Sequence, residues 1–241
     1  MLIFIITLLL GISANESTSQ LIEQAIMLYD TRHQNSINLN RSRELLESIL
    51  MAEPNNPVAI YRLSQVYFTL GEYAKSKKEK LFWYEKGANL AKRTITIDSN
   101  LVWGHFWYVA NLGQATKLKG IFSGLSAISE VKKEFERMMR LDSNNVWVLN
   151  ALGNYYLELP EVLGGDPNKA LAILHRALTI DSTYSAIYLS LAKVYLKLKA
   201  SDKALMYLNR MLTLKNPYPV ADYLLEHKFQ ALKLLQELHR R

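Results

Sequence analysis

Cysteine is absent from the 241 residues of this chain. Disulfide bonds, thiolate metal sites, cysteine nucleophiles and a lipid-modified N-terminal cysteine are therefore excluded. Proline and glycine are scarce, with 6 and 10 copies, so the composition does not favour long disordered linkers. The net charge of +7 is spread along the chain, and its densest basic stretch, residues 75–80, fits a solvated helix face. No nucleic-acid-binding module accompanies it, so we expect no nucleic-acid partner.

An uncharged apolar run occupies the N-terminus: residues 1–14 read MLIFIITLLLGISA. The run is shorter than the roughly 20 residues that a membrane-spanning helix needs. Its apolar core and small final residues are typical of a secretory signal peptide cleaved after Ser13 or Ala14, although no Lys or Arg precedes it. We therefore expect an exported, periplasmic protein. A mis-assigned start codon and an uncleaved N-terminal membrane anchor are the alternatives.

A short polar phrase returns five times between apolar stretches of helical period. It reads EPNN, IDSN, LDSN, IDST and LKNP, and we take residues 53, 98, 142, 181 and 215 as its anchors. The spacings between these anchors are 45, 44, 39 and 34. The last is the 34-residue period of tetratricopeptide (TPR) repeats, and the other three are longer. The pattern predicts an all-α fold: a right-handed α-solenoid of about five TPR-like helix pairs and a C-terminal capping helix.

The resemblance to TPR proteins covers residues 20–218, and it is most complete in the fifth repeat. The predicted organisation is a signal peptide at 1–14, a solenoid at 15–218 and a capping helix at 219–241. Leu224, Leu225, Leu232 and Leu235 should face inward from that cap. We assign the extra residues of repeats two to four to insertions between the two helices of a pair, including residues 117–129 and 159–165. Such insertions emerge on one edge of a solenoid.

Residues 101–181 carry a narrower resemblance. An aromatic HFW helix and a glycine-containing segment precede a P-x-x-x-GGD-x-x-KA pattern, formed by Pro160, Gly164, Gly165, Asp166, Lys169 and Ala170. This pattern resembles the T-component family of TRAP transporters, which implies a periplasmic helical scaffold that works with a substrate-binding protein and a transporter. Lipoprotein members carry a cysteine after the leader, so its absence favours a soluble form or a relative with another partner. The chain is also similar to eukaryotic regulators of microtubule dynamics, which share degenerate repeats of this kind.

The segment Gly164-Gly165-Asp166 is interpreted as a structural turn. It lacks the GxxxxGK[ST] spacing of a phosphate-binding loop and follows no strand. Glycines permit a reversal with positive φ, Asp166 can cap the next helix, and Pro167 suits its first turn. Contact with a ligand is the alternative.

The groove-facing positions of the first helix in each pair supply the candidate binding residues. They are large aromatic side chains, amides, one histidine and two lysines: Tyr61, Gln65, Phe68, Trp103, His105, Phe106, Trp147, Asn150, Asn154, Lys193 and Lys197. Aromatic side chains are common anchors for a partner, and a few placed polar groups give a pocket its specificity. The alternatives are core packing of the aromatic rings and a buried, hydrogen-bonded His105.

Catalysis finds no support in the sequence. No pair of histidines has zinc-binding spacing, and Ser, His and Asp occur in no catalytic motif order. We therefore expect no enzyme activity, metal or cofactor. The leading hypothesis is an exported TPR scaffold that binds a protein partner, either a substrate-binding protein or another component of an envelope complex. A carrier of a small apolar ligand, in a cavity lined by Trp103, Phe106 and Trp147, and a generic TPR adapter are the alternatives; homo-oligomerisation stays open.

Overall fold

The structure is a computed structural model that describes residues 17–240, apart from the side chains of residues 121–124. The predicted signal peptide, residues 1–14, lies outside the described residues. The described chain is built from helices without a β-strand, which confirms the all-α TPR fold class. No helix in this range is long and apolar enough to cross a membrane. The chain divides into two compact units, with the boundary between Leu141 and Asp142.

The first unit contains three pairs of helices that pack on each other in chain order. They are α1 (Thr18–Asp30) with α2 (Asn38–Ala52), α3 (Pro57–Tyr73) with α4 (Lys77–Ile97), and α5 (Val102–Lys119) with α6 (Ile121–Leu141). Side-chain caps fix several starts: Ser76 forms a capping box with Glu79 at α4, and the Asn56 side chain accepts from the backbone N–H of Ala59 at α3.

The second unit contains two further pairs and a final helix. They are α7 (Val146–Glu158) with α8 (Pro167–Ile180) and α9 (Ser185–Lys197) with α10 (Ser201–Leu212), with a 3-10 turn at Glu161–Leu163. The last helix runs without a break through α11 (Val220–Asp222), a π-helical turn (Tyr223–His227) and α12 (Lys228–His239). We call residues 220–239 the C-terminal helix.

In three repeats, an arginine on the second helix binds the recurring phrase that precedes the helix pair. Each guanidinium donates to a backbone carbonyl and to the asparagine side chain of the phrase. The Oδ1 acceptors are Asn55 for Arg93 (2.9 Å), Asn100 for Arg137 (3.0 Å) and Asn144 for Arg176 (2.9 Å). The asparagines therefore have a packing role beyond turn formation: they fix the phrase against its own helix pair.

A buried polar cluster joins three helices of the first unit. Ser64 Oγ on α3 donates to the Gly87 carbonyl on α4 (2.8 Å), and Asn111 Nδ2 on α5 donates to Ser64 Oγ (3.2 Å). A Cβ atom on Gly87 would lie 2.2 Å from Asn111 Oδ1, so only glycine allows this approach. Gly87 is therefore a point of close contact between α4 and α5.

The predicted insertions of the second and third repeats are wrong. There the extra residues lengthen the helices: α3 and α4 have 17 and 21 residues and α5 and α6 have 18 and 21, against 13 and 12 in α9 and α10. Residues 117–129 are helical on both sides of Gly120, whose φ of 106° makes the reversal. A single glycine is a sufficient turn, so no loop is needed. In the fourth repeat, residues 159–166 do form a loop containing the 3-10 turn.

The predicted inward face of the C-terminal helix is wrong for three of its four leucines. Leu224, Leu225 and Leu232 are 47%, 42% and 48% exposed, whereas the small Ala221 and Ala231 are buried. Small side chains let the helix approach the second unit closely, and the π-helical turn changes the angular register along the helix. These three leucines therefore lie on faces turned away from the rest of the unit, whereas the predicted Leu235 is half-buried.

Candidate functional site

The candidates of the first unit form an aromatic cluster between α3 and α5. Tyr61 stacks on Trp103 with ring centroids 6.5 Å apart, and Trp103 meets Phe106 edge to face at 5.6 Å. Phe68 contacts Trp107 at 5.7 Å. Tyr61 and Phe106 are buried, whereas Phe68 and Trp103 are half-buried. The rings are thus largely occupied by one another, as the core-packing alternative expects.

Gln65 also makes its contacts inside the first unit. Its side chain is buried, and its Oε1 accepts a hydrogen bond from Arg62 Nη1 at 3.0 Å. The Arg62 guanidinium lies 5.2 Å from the centre of the Tyr61 ring, a cation–π contact. Little of this amide is therefore available to a ligand.

His105 is a buried, hydrogen-bonded histidine. Its Nε2 lies 3.0 Å from the Ser99 carbonyl, and its Nδ1 contacts the Glu134 carboxylate on α6. Burial by itself lowers the pKa of His105, but the Glu134 hydrogen bond, the Ser99 carbonyl and the Glu134 charge outweigh burial and raise that pKa above its ordinary value. Both ring nitrogens are used to join the second phrase, α5 and α6, so His105 has a structural role.

In the second unit, Trp147 begins a row of aromatic rings that lie at the starts of α7, α9 and the C-terminal helix. It stacks on Tyr184 with centroids 4.9 Å apart and planes at 29°, and it meets Tyr218 edge-on at 6.4 Å. Tyr184 is buried, Trp147 is half-buried and Tyr218 is 51% exposed. An open pocket of about 560 Å³ lies at the Tyr218 end of the row, lined also by Lys215 and Tyr223.

Asn150 and Asn154 continue from Trp147 along one face of α7, at spacings of three and four residues. Asn154 Nδ2 donates to the Asn150 carbonyl (3.0 Å) and to Ser190 Oγ on α9 (2.9 Å), so it bridges the two helices. Asn150 Oδ1 is buried and has no hydrogen-bond partner among the described residues. A buried acceptor without a partner costs about 1–3 kcal/mol, which a donor from a bound ligand would recover.

The two candidate lysines lie on α9, beside this face. Both are exposed: Lys193 Nζ donates to Gln230 Oε1 on the C-terminal helix (3.3 Å), and Lys197 Nζ donates to the Leu157 carbonyl of α7. Lys197 therefore places positive charge next to α7, and Lys193 places it next to the C-terminal helix.

The turn residues of the fourth repeat hold the loop. Gly164 has a φ of 93°, and a Cβ atom on Gly165 would lie 2.0 Å from the Leu159 carbonyl oxygen. Asp166 is the N-cap of α8, where its Oδ1 accepts from the backbone N–H groups of Asn168 and Lys169 at 2.9 and 3.0 Å. Gly164, Gly165 and Asp166 thus stabilise the turn and the start of α8, as the structural interpretation expects.

Sequence reasoning missed Tyr184, Ser190 and Tyr218. A signal for the tyrosines was present, since each stands three residues after an anchor, at 181 and 215. Ser190 gives no such signal, because its role depends on which α7 side chain reaches it across the helix pair.

Two family models match this chain, and together they span most of it. The model described as regulator of microtubule dynamics protein 1-3 matches residues 21–163, more than half of the chain. The chain belongs to this family. A tetratricopeptide repeat model matches residues 163–225. No curated protein matches the sequence.

Solved structures show the fold that this member of the family adopts. A thermophilic TPR protein from Thermus thermophilus aligns with a TM-score of 0.69 and 17% identity, over 90% of this chain and 100% of that chain. MamA from Desulfovibrio magneticus RS-1 aligns with a TM-score of 0.51 and 11% identity, over 84% and 97%. Such low identities establish the fold alone. TPR proteins are typically non-enzymatic scaffolds for protein–protein interaction, and the residues that the structure describes contain no group of acidic and histidine side chains able to hold a metal.

Proposed function

We propose that this chain is a non-enzymatic scaffold that binds an extended segment of a protein partner along α7 and α9 of the second unit. The observation that carries the proposal is the buried Asn150 Oδ1, an acceptor without a partner among the described residues, on the face that also presents Trp147 and Asn154. An extended peptide offers backbone N–H donors at regular intervals. Residue Asn150 as a whole is half-buried, so rotation of its side chain toward the groove would let one of these donors supply the missing hydrogen bond.

The surroundings of Asn150 fit such a segment. The half-buried Trp147 provides an aromatic anchor at one end of the face, and aromatic anchors dominate the binding energy of many interfaces. Lys193 and Lys197 lie beside the face and favour a segment that carries acidic side chains. The corresponding face of the first unit is a weaker candidate, because Tyr61 and Phe106 are buried against their neighbours.

The class of partner follows from two different observations. The name of the family points to microtubule regulation, so purified microtubules are the first partner to test by co-sedimentation. The HFW and GGD pattern in residues 101–181 supports instead a TRAP-type substrate-binding protein or another envelope partner, together with export through residues 1–14. The mass of the mature N-terminus separates the two: loss of residues 1–13 or 1–14 supports export, and an intact Met1 in a cytosolic protein contradicts it.

A peptide library tests the proposed site without knowledge of the partner. Peptides displayed on phage would be selected on the immobilised chain, and the strongest binder would be titrated by fluorescence anisotropy. We expect Trp147→Ala to weaken its binding by about tenfold or more, equivalent to about 1.4 kcal/mol. Asn209→Ala, an exposed change on α10, is the control and should bind like the wild type. Equal affinity of all three proteins would contradict the proposed site.

A further inference from the structure

Three aromatic side chains of the first unit surround the ammonium group of a lysine. They are Tyr67 on α3 and Phe82 and Trp83 on α4, which we call the aromatic cage, and the lysine is Lys86 on α4. We propose that the aromatic cage is a site for a quaternary ammonium group, which displaces Lys86 when it binds. The site is separate from the proposed peptide site, because that site belongs to the second unit.

The three rings face one point. Lys86 Nζ lies over each of them, 5.1 Å from the ring centres of Tyr67 and Phe82 and 5.6 Å from the ring centre of Trp83. The Trp83 ring is inclined by 39° to the Tyr67 ring and by 70° to the Phe82 ring, so the rings approach the cation from different directions. Lys203, by contrast, lies over a single ring. Several rings around one cation are the arrangement by which proteins recognise quaternary ammonium groups.

The distances in the cage fit a methylated nitrogen better than a bare ammonium. Each methyl carbon of a quaternary ammonium group lies about 1.5 Å from the nitrogen, and two carbon atoms in contact are about 3.5–4.0 Å apart. A contact through a methyl group therefore places the nitrogen roughly 5 Å from a ring, close to the three distances of Lys86 Nζ. A bare ammonium comes closer where it can: Lys169 Nζ lies 4.2 Å from the centre of the Tyr156 ring.

Two walls of the cage are fixed by the rest of the first unit. Tyr67 is buried, and its hydroxyl donates to Glu47 Oε1 on α2 at 2.8 Å. Burial and this hydrogen bond raise the pKa of Tyr67, so its phenol stays neutral. A carboxylate acceptor also makes the ring richer in electrons, which strengthens its attraction for a cation. Trp83 is half-buried against the hydrophobic core of α1, α2 and α3, so the binding surface exists before a ligand arrives.

The third wall and the resident lysine are open to solvent. Phe82 is 50% exposed, and Lys86 is exposed. No group in the described part of the chain accepts a hydrogen bond or forms an ion pair with Lys86, so the rings alone hold its ammonium. A lysine ammonium is strongly hydrated, whereas a quaternary ammonium has no N–H group and loses less hydration in the cage. Rotation of Lys86 into solvent gives up an exposed cation–π contact, a factor of about two to five in an equilibrium constant.

Titration of the full chain with tetramethylammonium chloride tests the cage. The indole N–H signals of the four tryptophans are followed in proton–nitrogen correlation spectra, and the signal absent from Trp83→Phe identifies Trp83. We expect a saturable shift of the Trp83 signal that potassium chloride at the same concentration does not produce. A Trp83 signal that does not shift, or that shifts equally with both salts, would overturn the proposal.

Three variants separate the cage from a general effect of charge. Phe82→Leu removes an exposed ring and should weaken binding by about tenfold or more. Lys86→Gln removes the resident cation and should strengthen binding by about two- to fivefold. Lys92→Gln is the matched control, because Lys92 is on the same helix but lies over one ring, that of Tyr108; it should bind like the wild type. Binding that survives Phe82→Leu, or that does not differ between Lys86→Gln and Lys92→Gln, would contradict the proposed site.

Two further ligands distinguish the sources of a quaternary ammonium group. Choline represents a free small molecule, and a short peptide with one trimethyllysine represents a methylated protein. Tighter binding of choline assigns the cage to a small molecule, and tighter binding of the methylated peptide assigns it to a protein partner. The same peptide with unmethylated lysine is the control and should bind more weakly than its methylated form. Equal binding of the two peptides would contradict recognition of a quaternary ammonium group.

Discussion

Replacement of Gly87 by alanine tests the buried polar cluster of the first unit. The new Cβ atom would lie 2.2, 2.5 and 2.7 Å from Oδ1, Cγ and Nδ2 of Asn111, distances that require the Asn111 side chain to move. That movement breaks the hydrogen bonds from Asn111 Nδ2 to Ser64 Oγ (3.2 Å) and to the Trp107 carbonyl (2.9 Å). Overpacking costs about 1–3 kcal/mol and an unpaired buried polar group costs about 1–3 kcal/mol.

A gain in helix propensity partly offsets these costs. Alanine is favoured over glycine inside a helix by about 1 kcal/mol, so we expect a net destabilisation of about 1–5 kcal/mol. Gly113→Ala is the matched control on α5, because nothing lies within 4 Å of its Cβ position. That control should be more stable than the wild type by about 0.5–1 kcal/mol.

Urea unfolding followed by tryptophan fluorescence measures both variants. Three of the four tryptophans, at positions 83, 103 and 107, are in the first unit, so the signal reports mainly on the part of the chain that is changed. The two substitutions should shift the midpoint in opposite directions. A Gly87→Ala protein as stable as Gly113→Ala would refute the close approach of α4 and Asn111.

Three further predictions concern local interactions. His105→Gln should lose more stability at about pH 6 than at about pH 8. The raised folded-state pKa of His105 makes its charged contact with Glu134 stabilising at low pH, and that stabilisation is lost as the pH rises through the folded pKa. Equal losses of unfolding free energy in urea at the two pH values would contradict this prediction. Arg137→Ala and Asn100→Ala should each lower the free energy of unfolding by about 0.5–1.5 kcal/mol. A double-mutant cycle should show that the two losses together are smaller than their sum. Additive losses would argue against the hydrogen bond between Arg137 and Asn100. Gly165→Ala should lower the thermal midpoint, because its Cβ would lie 2.0 Å from a backbone carbonyl oxygen; an unchanged midpoint would speak against this loop geometry.

The helix pairs could be predicted because the phrase that separates them has a simple composition and a measurable period. Polar, helix-ending residues at anchors 53, 98, 142, 181 and 215 mark where one pair stops and the next begins. The anchors also locate the arginines that bind the phrases. Arg93, Arg137, Arg176 and Arg210 each stand five residues before the next anchor. The first three reach back to an asparagine, whereas the phrase that precedes Arg210 has Thr183 at that position.

The position of the extra residues could not be read from the spacing alone. A longer repeat fits either a loop or two longer helices, and the choice at residues 117–129 depended on whether Gly120 could reverse the chain by itself. The buried face of the C-terminal helix was equally ambiguous. It is apolar on two sides, so the sequence pattern does not say which of Ala231 and Leu232 packs inward.

The candidate site could be predicted only as a set of positions on the first helices. Sequence placed Tyr61, Trp103 and Trp147 in comparable positions, but the structure gives them different surroundings. The first two pack in a cluster inside the first unit, and Trp147 begins the row that ends at the exposed Tyr218. The buried acceptor of Asn150 depends on a side-chain conformation and on neighbours from another repeat, which no spacing rule specifies.

The most direct test of the proposed scaffold compares stability and binding in one variant, Asn150→Ala. Removal of a buried acceptor that lacks a partner among the described residues should leave the free energy of unfolding unchanged or increase it by up to about 1 kcal/mol. The same change should weaken the library-selected peptide by about tenfold, because the hydrogen bond is made only in the complex. A protein that is equally or more stable but binds less well is the predicted result. Unchanged peptide affinity in Asn150→Ala would contradict the assignment of the α7 face as the binding site.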